Sequence, residues 1–563
     1  MVQELTLLYD LGLVLVAGTL FGFIARELKQ PLLAGYILAG LAIGPLALKL
    51  ISDYSVISVL SELGIAFLLF AIGMEIDFSK LTRFKKPIIL GGVAQVLITA
   101  GIVGIGLPLL GLTFLESVYL GLIVAFSSSV IAIKILTDSK QLNSLEGKMI
   151  IGYALVQDLL AVILLPLLAN PSTIFSPAVF FQLLSGFALL VATGFVLAKW
   201  VFPRVTTEAA KSQEIFFLTT ISSCFVFIFL SNHLSFPLAV GAFIGGLALG
   251  RIPFNLEAQN SVHYIRDLFG TVFFVALGLQ MKALVFTPLF FVLLLVVFLL
   301  NPLIFIGISL FQGFGLQTGL TIGLTLFQAS EFSFIIASQG LELGQLSQAT
   351  FDAAVWVILL SMIATPYMIR LNRRLHDALV KHFKGLKPHM GFFERNVKEY
   401  QQVPHDELLF DHVIVAGAGV FGEQIVDAVA QTQKVLVIEQ DPDIVQKMIR
   451  RKIPSIYSSR NNVTVLDKVG FEKAAILVVT IPDHRTALNM VMFARKRNSG
   501  LTIFARAHKL SEAIELYDAG ADRVILPQVM ASNYCLQEIR RVLAGEKPSF
   551  GLEQRFLGLS KQN

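Results

Sequence analysis

The sequence predicts a polytopic α-helical membrane protein followed by a soluble α/β, Rossmann-like domain. Three observations carry that prediction. Of 563 residues, 55% are hydrophobic and only 15% charged, too apolar for an ordinary soluble globule. Charges are sparse from Met1 to about Pro366 and reach soluble-protein density from Arg370 onward. Within the last third, a short apolar strand runs into a glycine-rich loop and a helix. The predicted organisation is a membrane domain over 1–371, a linker over 372–410, a Rossmann-like domain over 411–530 and a tail over 531–563.

Apolar stretches near the length of a membrane helix, about 20 residues, recur at 6–26, 31–50, 56–76, 86–110, 117–137, 148–168 and 181–203. The series continues at 214–231, 236–250, 267–283, 286–311, 318–340 and 351–371, thirteen spans in all. The N-terminus has no basic region and no small-residue cleavage site before its apolar run, which reads as a retained helix rather than a signal peptide. With a cytoplasmic tail, an odd count puts the N-terminus outside and makes every second loop basic. Arg26 and Lys29; Lys80, Arg83, Lys85 and Lys86; Lys140; Arg204 and Lys211; and Arg251 and Arg266 fall on that side, while loops near 169–178 and 231–236 carry no Lys or Arg.

The net charge of +5 follows this positive-inside pattern, so it does not indicate nucleic acid. Cys224 lies in an apolar span and Cys535 in the soluble part, which supports no disulfide framework.

Pro31 to Gly44, PLLAGYILAGLAIG, aligns without gaps on Pro237 to Gly250, PLAVGAFIGGLALG, with seven of fourteen positions identical. ELGIAFLLFAIGM from Glu62 matches DLFGTVFFVALGL from Asp267 at nearly the same offset. Seven spans separate the halves, so equivalent helices cross in opposite directions: an inverted repeat, a recurring plan of secondary transporters.

The same offset pairs the fifth span with the twelfth, and both carry a polar interruption. One holds Ser127, Ser128 and Ser129; the other holds Gln328, Ser330, Glu331 and Ser333. Serines in a membrane helix are tolerated by bonding back to the i−4 carbonyl. Equivalence across the repeat instead predicts two discontinuous helices whose free backbone groups face a cavity.

In the sixth span the ionisable side chain deep in the apolar run is Asp158. A carboxylate there costs about 2.5–3.5 kcal/mol on insertion scales and reads as functional by default. It binds either a proton or a desolvated monovalent cation, and competition between the two gives exchange. With a single titrating acid, one proton per cation is the simplest, electroneutral stoichiometry. Gln157 beside it is expected to offer a carbonyl oxygen to the cation.

At these residues the chain resembles the Kef-type branch of the cation:proton antiporter-2 family, through AGYILAGLAIGP near Gly35, LGIAFLLFAIGMEID near Gly64, Gln157-Asp158 and FQASEF around Gln328. The resemblance covers nearly the whole chain. It implies an antiporter fold like that of NapA and NhaA, and exchange of potassium for protons, with sodium/proton exchange as the alternative. Asp158 is then the shared K+ or Na+ and proton site, with Gln157, Ser127, Ser128, Ser129, Gln328 and Glu331 around it. Many relatives have a Lys in the eleventh span where this chain has Asn301, so Asp158 lacks that salt-bridge partner. The family further implies a multi-pass protein of the inner (plasma) membrane, a homodimer and, in some members, an ancillary regulatory subunit. Its gating by glutathione has no residue-by-residue match here.

From His412, HVIVAGAGVFGEQIVDAV then KVLVIEQD gives a strand, Gly417-x-Gly419-x-x-Gly422 opening a helix, and a second strand ending at Glu439. The glycines let backbone approach phosphate at a helix N-terminus, and an acid about 20 residues on holds ribose hydroxyls. Later runs at IPSIY, AAILVVT, LTIFARA and DRVILP complete six strands. The tail resembles regulator-of-potassium-conductance domains, also called RCK or KTN domains, through those glycines, LVVTIPDHRTALN and ARAHKLSEAIELYDAGADRVILP. That resemblance implies dimerisation and an adenine nucleotide, NAD/NADH or AMP/ATP, as regulatory ligand. The nucleotide-facing candidates are Gly417, Gly419, Val420, Phe421, Gly422, Glu439, Gln440, Thr480 and Arg506. YSSRNN replaces an acidic Gly-Asp stretch of many relatives, which leaves the nucleotide open.

The basic stretch from Arg370 to Lys387 continues the last helix, lies on anionic lipid or forms a solvated linker. Two other function classes are weighed. A nucleotide-gated potassium channel needs a carbonyl filter, and LTIGLTLF around Thr321 lacks its second glycine. A membrane-anchored dehydrogenase needs a substrate domain with a His or Lys acid, which the sequence does not offer.

Overall fold

The computed structural model describes residues 2–51, 55–75, 85–139, 141–169, 177–234, 236–250, 255–282, 286–382, 401–402, 410–457 and 470–545. Lys80, Arg83, Lys140 and Arg251 of the orientation argument, the residues after Tyr457 in YSSRNN, and the tail beyond Gly545 lie outside them. The chain divides into a helical unit and a unit built on a sheet.

The helical unit comprises α1 (Val2–Glu27), α2 (Leu32–Ile43), α3 (Ser55–Glu75), α4 (Lys85–Gly106), α5 (Phe114–Ala125), α6 (Ser129–Asp138), α7 (Leu145–Ala169), α8 (Pro177–Val196) and α9 (Phe202–Ala209). It continues with α10 (Gln213–His233), α11 (Leu238–Leu249), α12 (Asn255–Gln280), α13 (Pro288–Leu295), α14 (Asn301–Phe311), α15 (Leu316–Thr325), α16 (Glu331–Glu342) and α17 (Gln348–His382). Widened π-turns at Leu197–Val201 and Val296–Leu300 join α8 to α9 and α13 to α14. Each precedes a proline, Pro203 or Pro302, whose ring crowds the carbonyl four residues back; the extra residue in the turn absorbs the clash.

Among the described residues, eight helical stretches are long and apolar enough to cross a membrane, and four apolar helices are shorter. α2 rises only about 18 Å, because Gly44-Pro45 ends it before the predicted limit at 50. α12 starts at Asn255 rather than near 267, since its first turns carry Glu257, His263 and Arg266 and escape a hydropathy window. α17 runs on to His382, into the stretch predicted as linker.

The inverted repeat is visible in the helix crossings. A Cβ at Gly40 of α2 would lie 2.0 Å from the Val275 carbonyl of α12, and one at Gly278 would lie 2.2 Å from the Ile37 carbonyl. A Cβ at Gly246 of α11 would lie 2.0 Å from the Phe70 carbonyl of α3, and one at Gly73 would lie 2.3 Å from the Phe243 carbonyl. Aligning Pro31 with Pro237 turns Gly40 and Ile37 into Gly246 and Phe243. Aligning Glu62 with Asp267 turns Gly73 and Phe70 into Gly278 and Val275. The α2–α12 contact is therefore the image of the α11–α3 contact, and in both only glycine lets the backbones touch.

The second unit is a seven-stranded sheet: β1 (Gln401–Gln402), β2 (His412–Ala416), β3 (Val435–Glu439), β4 (Ser455–Tyr457), β5 (Ala474–Val479), β6 (Thr502–Arg506) and β7 (Arg523–Ile525), in spatial order β1-β4-β3-β2-β5-β6-β7. The six predicted strands are parallel, and their order is that of a dinucleotide-binding sheet. The two-residue β1 was not expected; it comes from the predicted linker and pairs antiparallel with β4. The helices are α18 (Val420–Val429), α19 (Pro442–Arg450), α20 (His484–Arg497), α21 (Leu510–Asp518) and α22 (Pro527–Leu543). Ile414, Leu477 and Ile503 at the sheet centre are fully buried, as expected where helices cover both faces.

Candidate functional site

α5 stops at Ala125 and α15 at Thr325, and the chain crosses itself in extended form before α6 and α16 begin. The two stretches pair antiparallel at Ser127 and Ala329. Serine supplies the new helix starts. Ser128 Oγ accepts from Ile131 N at 3.3 Å. Ser330 Oγ accepts from Ser333 N at 3.3 Å while Ser333 Oγ accepts from Ser330 N at 3.1 Å, a reciprocal cap. These serines cap and bridge instead of bonding back along a helix.

A broken helix leaves its last carbonyls without partners, and side chains from other helices provide them. Asn301 Nδ2 donates to Val124 O at 2.7 Å and to Phe327 O at 3.4 Å, so one amide spans the ends of α5 and α15. Thr99 Oγ1 holds that amide by donating to Asn301 Oδ1 at 3.0 Å. Gln95 Nε2 donates to Ala125 O at 3.0 Å, Ser333 Oγ to Ile123 O at 2.6 Å, and Ser127 Oγ to Leu326 O.

The expected cation ligand Gln157 is engaged at both ends. Its Oε1 accepts from Ser127 N at 3.0 Å and its Nε2 donates to Gln95 Oε1 at 2.5 Å. Ser361 of α17 does the equivalent in the other half, its Oγ accepting from Ala329 N at 3.1 Å. Asp158, next to Gln157 on α7, is 5% exposed. Glu331, at the first position of α16, is buried and accepts from Ser128 Oγ at 2.8 Å, so the crossing contains a carboxyl besides the single titrating acid expected. Gln328 is fully buried, and its Nε2 donates to Ser128 O at 3.4 Å. Ser129, half-buried at the start of α6, is not a member of this network.

Gln95, Thr99 and Ser361 are functional positions beyond those expected from the sequence, and Asn301 is a ligand of two helix ends as well as the site of a lost charge. The legible signal was Gln95 and Thr99 four residues apart in an apolar span, hence on one helix face. Among the described residues no three His, Cys, Asp or Glu side chains gather as a metal site. The crossing offers amide, hydroxyl, carbonyl and carboxylate oxygens, which suit hard cations.

In the sheet unit, all nine nucleotide-facing candidates line one cleft of about 480 Å³ at the C-terminal ends of the strands, together with Ile481, Pro482, Thr486 and Met490, which the sequence reading did not single out. Gly417 has φ +95°, and a Cβ on Gly422 would sit 2.0 Å from the Gly417 carbonyl, so both positions demand glycine. At Gly419 a Cβ meets nothing within 4 Å. Gly419 caps α18 with no side chain, leaving the first N–H groups directed into the cleft for an anion.

Glu439 is placed differently from a simple ribose acceptor. Its carboxylate takes N–H groups of Ala418 at 2.5 Å, Gln440 at 2.7 Å and Asp441 at 2.9 Å, bracing the glycine loop. Burial pushes this carboxyl above the usual range, and the three N–H groups oppose the shift. Thr480 Oγ1 donates to Gly417 O at 2.6 Å, a second brace. Arg506 stacks over Phe421 with its guanidinium carbon 5.3 Å from the ring centroid, and its Nε has no hydrogen-bond partner among the described residues.

Residues 12–371 match the family model of the sodium/hydrogen exchanger transmembrane domain, and residues 413–527 match that of the TrkA-N domain. The chain is 27% identical to the Escherichia coli K12 protein named cation/proton antiporter YbaL, over 94% of this chain and 97% of that one. It is 27% identical to the glutathione-regulated potassium-efflux system protein KefC of Klebsiella pneumoniae, over 90% of this chain and 80% of that one. The fold of the sodium proton antiporter MjNhaP1 from Methanocaldococcus jannaschii superposes with a TM-score of 0.55 at 20% identity, covering 66% of this chain and 99% of that one. A repeat-related pair of broken helices, a buried carboxyl beside their crossing and a family match over residues 12–371 lead to one conclusion: the chain belongs to the sodium/hydrogen exchanger family of membrane antiporters, and carries a TrkA-N domain after it.

Proposed function

We propose that the chain exchanges a monovalent cation, potassium before sodium, for a proton, one for one and without net charge movement, through the carboxyl of Asp158. The observation that carries this reading is the placement of Asp158: 5% exposed, and next to the residue that holds Ser127 at the helix break. A proton and a desolvated cation compete for the same oxygens of a buried carboxyl. Two helix C-termini and two N-termini meet at the crossing, so their end charges offset one another and the balance rests on the carboxyls. Glu331 accepts a hydrogen bond from the Ser128 hydroxyl, and the proposal gives the titrating role to Asp158. Alternating access is given by movement of the helix bundle that carries the crossing, as one body, against the other helices.

Potassium is favoured because relatives such as KefC are named for its efflux. The family description, sodium/hydrogen exchange, supports sodium as the second reading. The soluble unit is a cytoplasmic gate operated by an adenine nucleotide, NAD/NADH or AMP/ATP. The bare start of α18 takes phosphate, and Arg506 meets a further anionic group. The protein works as a homodimer in the cell membrane. Proton flux in proteoliposomes tests the transport reading: wild type couples flux to potassium and Asp158→Asn does not. Nucleotides added in turn test the gate, which predicts that one of them changes the rate.

A further inference from the structure

Gln328 lies in the extended stretch between α15 and α16 and is 0% exposed. Its Nε2 reaches Ser128 O, while its Oε1 accepts no hydrogen bond among the described residues. Exchanging the amide nitrogen and oxygen gives no remedy, because two acceptors would then face each other at Ser128. A buried carbonyl oxygen without a donor is costly and uncommon, and is open to a partner such as a water or a cation. The oxygens of the other amides named at the crossing are already engaged: Gln157 Oε1 accepts from Ser127 N–H, Gln95 Oε1 from Gln157 Nε2, and Asn301 Oδ1 from Thr99 Oγ1. The anchor points of Gln157 and Gln328, Ser127 N and Ser128 O, lie on consecutive residues, so both belong to the same crossing.

We infer that the neutral oxygen ligand of the transported cation is Gln328 Oε1, and that Gln157 is a positioning residue that holds the broken helix in place. The inference rests on the exchange reading above and assigns its cation ligand. A desolvated monovalent cation exchanges water oxygens for protein oxygens. A carboxamide oxygen supplies one without competing for the proton, whereas a carboxylate does both. Loss of the Gln328 oxygen therefore weakens the cation and leaves proton affinity as it was. Loss of the Gln157 amide frees the Ser127 N–H and loosens the crossing, which lowers turnover without a selective effect on the cation.

The experiment compares wild type, Gln328→Leu, Gln328→Asn, Gln157→Leu and Asp158→Asn as the full chain in proteoliposomes. It reads half-saturating potassium at fixed pH and the pH midpoint of flux at low potassium. Potassium-dependent thermal stabilisation in detergent, with choline as control, gives a binding readout independent of turnover. Gln328→Leu is expected to raise half-saturating potassium at least about tenfold and to reduce the thermal shift, with the pH midpoint unmoved. Gln328→Asn, which keeps the amide and withdraws its oxygen, shifts potassium in the same direction and serves if the leucine variant does not fold. Gln157→Leu lowers the maximal rate with half-saturating potassium within about twofold. Unchanged half-saturation and thermal shift in both Gln328 variants, or a tenfold loss confined to Gln157→Leu, overturns the assignment. Wild-type exchange in Asp158→Asn overturns the exchange reading itself, and the thermal shifts then still decide the role of Gln328.

Discussion

Replacing Asn301 with Leu, a side chain of similar size without polar atoms, tests how the crossing is held. The amide makes one short bond to Val124 O at 2.7 Å, a long one to Phe327 O at 3.4 Å, and accepts Thr99 at 3.0 Å. Most of the loss falls on Val124 O, a buried acceptor left without a donor, at about 1–3 kcal/mol. The 3.4 Å bond adds little, and Thr99 recovers part of its bond by turning to the carbonyl one helical turn back. The sum is a destabilisation of about 2–4 kcal/mol, concentrated where α5 and α15 end. Thermal melting in detergent, with and without potassium, measures it alongside maximal exchange in proteoliposomes. In a double-mutant cycle with Thr99→Val, the two changes couple by about 1 kcal/mol, because they share one bond. Wild-type melting and rate in Asn301→Leu would refute the claim that this amide ties the broken helices together.

Gly40→Ala and Gly246→Ala each put a methyl about 2.0 Å from a facing carbonyl, and both are expected to lower the melting temperature by a similar amount; a large effect at one position and none at the other contradicts the repeat. In the cleft, Gly422→Ala collides with the Gly417 carbonyl and unfolds the loop, whereas Gly419→Ala, with open space around it, keeps the fold and loses nucleotide affinity in calorimetric titration. Asp522 is held below the usual carboxylate range by the Ile503 N–H, with the Arg495 guanidinium adding to the shift, against a smaller opposing effect of burial. Its stabilisation is present above its unfolded pKa, near 3.9, and is lost as pH falls through the lower folded value. Protection factors over 502–525, corrected for intrinsic exchange, should therefore fall in strong acid, and Asp522→Asn should already show at neutral pH the reduced protection that wild type has in acid.

Periodicity and composition made the large features legible because each is local. The PLLAGYILAGLAIG and PLAVGAFIGGLALG pair exposed the repeat, the serines marked the breaks since serine caps helices, and the 417–422 glycines placed the cleft. The partners inside the crossing were not legible. Asn301 meets Val124, Ser361 meets Ala329, and Gln157 meets Ser127 across long stretches of chain, and nothing in the sequence says which amide satisfies which helix end. Its position beside Asp158 suggests Gln157 as a cation ligand; only the approach of α7 to the break after α5 shows its oxygen committed to a backbone N–H. β1 was missed because two glutamines in a polar stretch carry no strand pattern, and their pairing depends on the free edge of β4.

The central claim is that Asp158 carries cation and proton in turn. Its most direct test is proton flux in proteoliposomes driven by an imposed potassium gradient, for wild type and Asp158→Asn, each shown to be folded by melting in detergent. The account predicts coupled flux in wild type, unaffected by clamping the membrane potential, and none in the variant. Potassium-driven proton flux in a folded Asp158→Asn protein would contradict it.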